Sequence, residues 1–310
     1  MGAHLCRRIL DDGGEVIALM RRYRADSSLV RLGIASRVNQ VLGDACDAER
    51  MLRIVNEYAV THIVHLAGQP LPHVAKGAPT QTFEANIASA WSVLEAARNC
   101  PMVRGLVLLS TSKVYSSESS TTQSGVYMES DAGDRLEAYG ASKRCAEVLA
   151  ESYRVTYGVP AVSLRLANTY GPADPHRTRL VPMAVDCALA GVTLNVHGDG
   201  QQRLDLLYID DAIDGILLAL EHAKRLLQPA YNVGSREVVT IQEVVAAVRE
   251  VAPKTLNVSY GGATPHPTPV LDIAQFECAV GYRPRISLSV GIAETLAFDR
   301  RSQSHRNEGN

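Results

Sequence analysis

Residues 103–115 read VRGLVLLSTSKVY. An apolar run from Val103 ends abruptly on the hydroxyls of Ser110, Thr111 and Ser112. Its apolar residues follow one another without the alternation of a half-exposed strand, so the run fits a strand buried on both faces, as in a parallel sheet. The same signature recurs at Val16 to Leu19, at Val38 to Asp44 (VNQVLGD), at Thr61 to Ala67 (THIVHLA) and at Ala161 to Ala167 (AVSLRLA). Between these runs the apolar period becomes helical. Leu5, Ile9 and Leu10 share a face before the turn Asp11–Gly14, and residues 48–58, 82–99 and 138–158 follow with the same spacing. Short buried strands separated by helices predict a doubly wound parallel α/β sheet, covered on both faces.

From about Gly171 the rhythm changes. GPADPHRTRLVP (171–182) and GGATPHPTP (261–269) are Pro/Gly-rich loops, and LNVHG, RLDLLYI, YNVG and the helix TIQEVVAAVREV lie between them. This predicts a first domain over residues 1–170 with returns at about 206–235. A smaller α/β substrate lobe over 171–205 and 236–298 follows, and then a flexible polar tail over 299–310.

Composition bounds the function. The chain has 310 residues and a formal net charge of -2, with no basic surplus for nucleic acid and no acidic surplus for a solvating tail. Its apolar runs fall well short of the ~18 residues of a membrane span, and the N-terminus has no apolar leader segment. The six cysteines (Cys6, Cys46, Cys100, Cys145, Cys187, Cys278) form no C-x-x-C pair, so neither a disulfide framework nor a zinc site is expected, and a reducing cytoplasm is. The nine histidines show no ligand spacing, so no metal is expected.

In open parallel sheets ligands bind beyond the carboxyl ends of the strands. Chemistry is therefore sought at Asp44, after Leu66, after Leu109 and after Ala167. Tyr139 and Lys143, in AYGASK, stand at i and i+4 on one helix and share a face. A phenol has a pKa near 10, and a nearby ammonium lowers it enough to make a general base for a sugar or alcohol hydroxyl. By itself the pair is common on helices. Thr111 at the end of its strand could hydrogen-bond the same substrate oxygen, or Ser110 to Ser112 could be only a hydroxyl turn that closes the strand. Ala67 and Gly68 would let a flat cofactor lie against the backbone, and Asn168 is presented where AVSLRLA ends.

The pieces VLGD, HLAGQP, EANIASAWSVLEAA, STSKVY, YGASK, RLANTYGP, YIDDAIDGILLAL and YNVGS together resemble, in order and spacing, the extended short-chain dehydrogenase/reductases. The likeness is to the NAD-dependent epimerase/dehydratase group acting on nucleotide-diphosphate sugars, and it spans nearly the whole chain. The resemblance implies a Rossmann-like dinucleotide-binding domain over the first 170 residues. It implies Thr111, Tyr139 and Lys143 as catalytic residues, Lys143 also holding the nicotinamide ribose. It places Asp44 and Ala45 at the adenine, and Leu66, Ala67, Gly68, Asn86 and Ser110 along the cofactor. Gln69, Ser112, Lys113 and Asn168 fall toward the substrate. It further implies a homodimer through the helix of Tyr139 and the helix near Trp91, with no nucleic-acid or membrane partner.

Two departures stand out. Gly2 matches the third glycine of the family's G-x-x-G-x-x-G loop, while the first strand and the first two glycines have no counterpart. The expectation is a sheet lacking its first strand, either because roughly a dozen residues, one strand and a turn, precede Met1 or because the protein has lost cofactor binding and is a non-catalytic pseudoenzyme. The second departure is at the cofactor ribose. NAD users generally place an acid after the second strand, but Arg21 and Arg22 stand here, suited to the 2′-phosphate of NADP or to a solvated basic turn. NADP is favoured over NAD on this reading.

The reaction follows from what surrounds Thr111. dTDP-glucose 4,6-dehydratases follow the Thr with Asp-Glu, and GDP-mannose dehydratases and UDP-glucuronate decarboxylases carry Thr-Ser-Glu. This chain has Ser112 and Lys113, closer to the Thr-Asp-Lys of CDP-glucose 4,6-dehydratases and the Thr-Asn-Lys of CDP-tyvelose 2-epimerases. Without a carboxylate to protonate a leaving hydroxyl, epimerisation by transient oxidation is the expected activity, with 4,6-dehydration or 4-ketoreduction as alternatives. The family's diphosphate arginine is also displaced. Leu204 occupies its slot and Arg203 precedes it, so Arg203 would need a strand bulge to reach a phosphate, or else Arg177 or Arg179 would take over.

Overall fold

The computed structural model describes residues 1–115, 125–133, 135–263 and 268–308. The polar stretch 116–124, the centre of the Pro-rich loop at 264–267 and the last two residues of the expected tail lie outside the described residues.

The N-terminal half alternates as the apolar pattern requires: α1 (Gly2–Asp11), β1 (Ile17–Met20), α2 (Ser28–Arg31), β2 (Asn39–Leu42), α3 (Ala48–Glu57) and β3 (His62–His65). Then come α4 (Pro72–Gly77), α5 (Pro79–Phe83), α6 (Ser89–Arg98), β4 (Gly105–Thr111), β5 (Val126–Tyr127), α7 (Ala138–Tyr157) and β6 (Ala161–Leu166). The second half supplies β7 (Asn168–Tyr170), α8 (Leu180–Ala190), β8 (Leu194–His197), β9 (Arg203–Tyr208), α9 (Ile209–His222) and β10 (Ala230–Val233). It ends with β11 (Val238–Thr240), α10 (Ile241–Val251), β12 (Val258–Gly261), β13 (Val270–Leu271), α11 (Ala274–Val280) and α12 (Leu288–Glu308).

Strands β10, β6, β4 and β3 form a parallel sheet in that order, and β1 pairs in parallel with β2 in a separate ladder. Among the described residues no strand pairs with the free edges of β1 and β3. The fold is thus the expected doubly wound parallel α/β arrangement. Strand β4 explains why both its faces are apolar. Val107 and Leu109 pack with Val162, Leu164, Ile213 and Ile216 toward α9, while Leu106 and Leu108 pack with Val93, Leu94, Ala146 and Ala150 toward α6 and α7. Side chains alternate across a strand, so a central strand with a helix on each face must be apolar at every position.

Local physics sets the element ends. Asp47 caps α3 by accepting from the Arg50 N–H, and Thr240 and Glu243 form a reciprocal capping box on α10. The long helix expected over 82–99 is interrupted. Residues Glu84–Ala88 form a π-helical turn between α5 and α6 that carries Asn86.

The chain end differs from the reading of it. Residues expected to form a flexible tail from 299 continue α12 to Glu308. Asp299 is buried and accepts from Arg31 at 2.9 Å and from Arg177 at 2.8 Å, so its charge is compensated and the helix is anchored.

Candidate active site

Strand β4 ends on Thr111, and the chain then turns through a single 3-10 turn, Ser112–Val114. The Thr111 hydroxyl accepts from the Lys113 N–H at 3.3 Å and so closes that turn. Helix α7 begins one residue before Tyr139. Tyr139, Lys143 and Glu147 follow at four-residue spacing and all three are buried. The helix approaches the turn closely because residue 140 is glycine: a Cβ there would lie 2.3 Å from the Lys113 carbonyl oxygen. This contact sets the Tyr139 phenol beside Thr111, whose hydroxyl eases the burial of a phenolate there. One turn on, Lys143 Nζ donates to the Leu109 carbonyl at 2.8 Å.

The electrostatics refine the expected base. Burial raises the Tyr139 pKa, opposed by the Thr111 hydrogen bond and by the charge of Arg179. Burial lowers Lys143 to about 8, against the pull of Glu147. A lysine that gives up its proton near 8 is neutral before a buried phenol titrates. In the structure without ligands, Thr111 and Arg179 therefore relieve the phenol, and the expected help from the Lys143 ammonium depends on what keeps that ammonium charged.

The loop after β3 passes beside this pair. Gly68 has φ of +143°, and a Cβ on it would lie 2.4 Å from Asn86 Oδ1 and 3.9 Å from Lys143 Nζ. Asn86 clamps the loop: its Oδ1 accepts from the Gln69 N–H at 2.6 Å, and its Nδ2 donates to the Gln69 carbonyl and, at 2.8 Å, to Ser142 on α7. The Gln69 side chain is engaged with the Leu71 backbone and Thr82. Asn86 and Gln69 thus shape the loop. Leu66 lies next to Gly2 at the start of α1, where an added Cβ would be 3.3 Å from its Cδ1, and Ala67 is exposed.

Asp44 is exposed at the end of β2 and accepts from the Cys46 N–H at 2.9 Å. That bond, helped by Arg21, holds its carboxyl below the usual range, while Ala45 is buried beneath it. Arg21 and Arg22 are both exposed just after β1.

A nicotinamide dinucleotide fits these residues. The free N–H groups at the start of α1 suit a pyrophosphate. The Leu66–Gly68 loop has no side chain beyond Cβ at its last two positions, and a carboxylate stands at Asp44.

Other expected residues are placed differently. Ser110, expected along the cofactor, turns inward and donates to Glu147 at 2.5 Å. Ser112 is buried. The Lys113 ammonium is lowered by burial, against the charge of Glu137. Asn168 is exposed at the head of β7. The β9 ladder is unbroken, with Arg203 opposite Thr240 and Leu204 opposite Val239, so it carries no bulge that would re-aim Arg203. Arg177 is held by Asp186 and Asp299. Arg179, at the start of α8, is half exposed, 3.7 Å from Asp174, and acts on Tyr139.

The sequence reading missed Gly140, Glu147 and Arg165. Glu147 had a signal, since it repeats the Tyr139–Lys143 spacing once more. Arg165, the one charged residue of β6, had another.

Residues 1–234 match the profile of the NAD dependent epimerase/dehydratase family. The chain is 26% identical over 296 residues to the dTDP-glucose 4,6-dehydratase of Salmonella typhimurium, covering 87% of this chain and 81% of that one. It resembles the UDP-glucose 4-epimerase of Thermus thermophilus, solved with NAD, at a TM-score of 0.81 and 29% identity over 96% of this chain and 95% of that one. It also resembles a dTDP-glucose 4,6-dehydratase double mutant of Streptomyces venezuelae, solved with NAD and DAU bound. There the TM-score is 0.82 and the identity 27%, over 98% of this chain and 95% of that one.

Proposed function

We propose that this chain, which belongs to the NAD dependent epimerase/dehydratase family, epimerises a nucleotide-diphosphate sugar by transient oxidation of one ring hydroxyl. The observation that carries this reading is the placement of Thr111 and the Tyr139 phenol together at the carboxyl end of β4, with Lys143 one turn further along α7. Thr111 orients the sugar hydroxyl, and Tyr139 takes its proton and later returns it. When bound, the nicotinamide group supplies the hydride acceptor and donor. Lys143 holds its ribose, Asp44 and Ala45 take the adenine, and the start of α1 takes the pyrophosphate. Arg179 is the diphosphate contact, because Arg177 is engaged elsewhere.

Dehydration is the second reading. It is favoured by the likeness to two dTDP-glucose 4,6-dehydratases. The turn after Thr111 favours epimerisation: its first residue, Ser112, is neutral and buried, and its second is Lys113, so no carboxylate stands there to protonate a leaving hydroxyl.

Arg21 and Arg22 fit a 2′-phosphate, so the cofactor on this reading is NADP in preference to NAD. Residues 171–205 and 236–298 form the sugar-nucleotide lobe. The exposed Trp91 on α6 and Val148 and Val155 on α7 are an apolar surface suited to homodimer formation. Six free cysteines suit a reducing cytoplasm. No helix among the described residues is long and apolar enough to cross a membrane.

The test is a mass-spectrometric and NMR screen of UDP-, CDP-, GDP- and dTDP-hexoses with NAD and with NADP. An isobaric product with inverted stereochemistry supports epimerisation, a 4-keto-6-deoxy sugar supports the dehydratase, and stoichiometric NADPH consumption supports a ketoreductase. Tighter binding of NAD than of NADP would remove the role given to Arg21 and Arg22.

A further inference from the structure

Three successive main-chain carbonyls of the loop after β7 are captured by side chains of α1 and α2. His4 Nε2, in the first turn of α1, donates to the Pro172 carbonyl at 2.8 Å. Ser28 Oγ, at the start of α2, donates to the Ala173 carbonyl at 2.9 Å, and Arg31 Nη1, at the end of α2, to the Asp174 carbonyl at 3.4 Å. Each acceptor lies 143 to 168 residues further along the chain than its donor.

The backbone takes an unfavourable shape to make these bonds. Ala173 is buried and has φ of +58°, the left-handed region that a residue with a Cβ enters only at a cost. Such a conformation persists where the surroundings over-determine it, and it collects at clamps and switches. Here the carbonyl of the bend and the carbonyls on both sides of it are all held from outside the loop.

The two sides joined in this way face different ligands. Helix α1 opens where the cofactor pyrophosphate is placed, and α2 follows directly on the turn that begins with Arg21 and Arg22. The loop itself leaves the sheet at its ligand edge, since β6 ends on Leu166, the residue paired with Thr111. It then runs to Arg179, the diphosphate contact. Asp174 belongs to both sides. Its carbonyl is held by Arg31, while its carboxylate accepts from the His176 N–H at 2.9 Å and stands 3.7 Å from Arg179. An ion pair as open as this one adds little to stability, so the fold alone does not account for the arrangement.

We propose that residues 172–174 are a strap that couples the two ligands: cofactor seated on α1 and α2 fixes His4, Ser28 and Arg31, and through the strap sets Arg179 for the diphosphate of the sugar nucleotide. This rests on the cofactor and diphosphate assignments of the proposed function. The ligand that binds first orders the segment, and the second finds it in place. Linkage then requires each ligand to tighten the other by the same factor.

Isothermal titration calorimetry on the full chain measures that factor without turnover. UDP, CDP, GDP and dTDP are titrated with and without saturating NAD, and again with NADP. These nucleoside diphosphates engage the diphosphate contact but lack the sugar that would touch the nicotinamide, so coupling between the ligands must run through the protein. In wild type the cofactor should tighten the best-binding nucleoside diphosphate about fivefold or more, and the reverse titration should give the same factor. Amide hydrogen exchange over residues 171–179 should slow on adding cofactor alone.

Ser28→Ala should bring the factor toward one and remove the cofactor's effect on exchange, and His4→Leu/Ser28→Ala should complete the loss. Both variants leave Arg31 in place because Asp299 also depends on it. Ser28→Thr, which keeps the hydroxyl, should restore the factor. A brace that only shapes the loop would weaken binding alike with and without cofactor, so an unchanged factor in Ser28→Ala overturns the proposal. Independent binding in wild type overturns it too. If the double variant does not fold, Ser28→Ala and Ser28→Thr decide the matter alone. Coupled binding in a protein inactive on every sugar nucleotide would uphold the strap and remove the epimerase reading, and turnover with independent binding would do the reverse. If either class of ligand fails to bind, both fall.

Discussion

Gly140→Ala separates catalysis from stability. The added methyl would stand 2.3 Å from the Lys113 carbonyl oxygen and 3.2 Å from its carbon, both backbone atoms that no rotamer change can clear. Ordinary contact needs about 3.4 Å, so α7 and the turn after β4 must part by about 1 Å. Thr111 and the Tyr139 phenol stand on the two sides of that same seam. Opened by about 1 Å, the seam would keep the two hydroxyls from meeting one substrate oxygen within hydrogen-bond range. A misplacement of about 1 Å at reacting groups lowers turnover roughly 10²-fold.

Stability should change much less. Overpacking costs about 1–3 kcal/mol, and alanine in place of glycine within a helix returns about 1 kcal/mol. The net is about 0–2 kcal/mol, a few degrees in Tm for a chain of this size. Steady-state kinetics on the sugar nucleotide identified by the screen, with thermal unfolding followed by circular dichroism, measure both quantities. A variant within threefold of wild-type kcat would refute the claim that the Gly140 contact sets the catalytic geometry.

Three further outcomes are expected. Tyr139→Phe removes one hydroxyl and should lower kcat about 10²- to 10⁴-fold while calorimetry finds the sugar-nucleotide Kd within about twofold of wild type; unchanged turnover would remove the base. Lys143 has a folded pKa of about 8 against an ordinary 10.5, so the folded protein holds fewer protons than the unfolded chain between those values. Stability should therefore rise with pH through that window, and the penalty is present in full below it. Lys143→Met should raise Tm at neutral pH, leave it little changed near pH 10 and abolish turnover, and an equal shift at both pH values would contradict the buried-charge account. Asp299→Ala leaves Arg31 and Arg177 facing each other without their shared carboxylate, and denaturant titration should find about 3 kcal/mol lost. A loss under about 0.5 kcal/mol would return residues 299–308 to the status of a loose end.

What was legible in the sequence and what was not divide along a physical line. Strand β4 could be read because burial on both faces leaves Leu106 to Leu109 without a polar position, and the pair on α7 because helical spacing converts sequence distance directly into shared direction. Thr111 could be read because a hydroxyl closing a buried strand must lie at the sheet edge. The misses concern relations between elements, which no local period encodes. That Arg177 is held by Asp299 depends on where α12 lands, 122 residues away. That Ser110 donates to Glu147 depends on a carboxylate 37 residues on. Gly140 has no local signal because the carbonyl it avoids belongs to Lys113, on another element. The same limit governs the chemistry. The sequence places an ammonium beside a phenol, but burial lowers that ammonium's hold on its proton, so the activity of the pair belongs to the packing around it as much as to the two residues themselves.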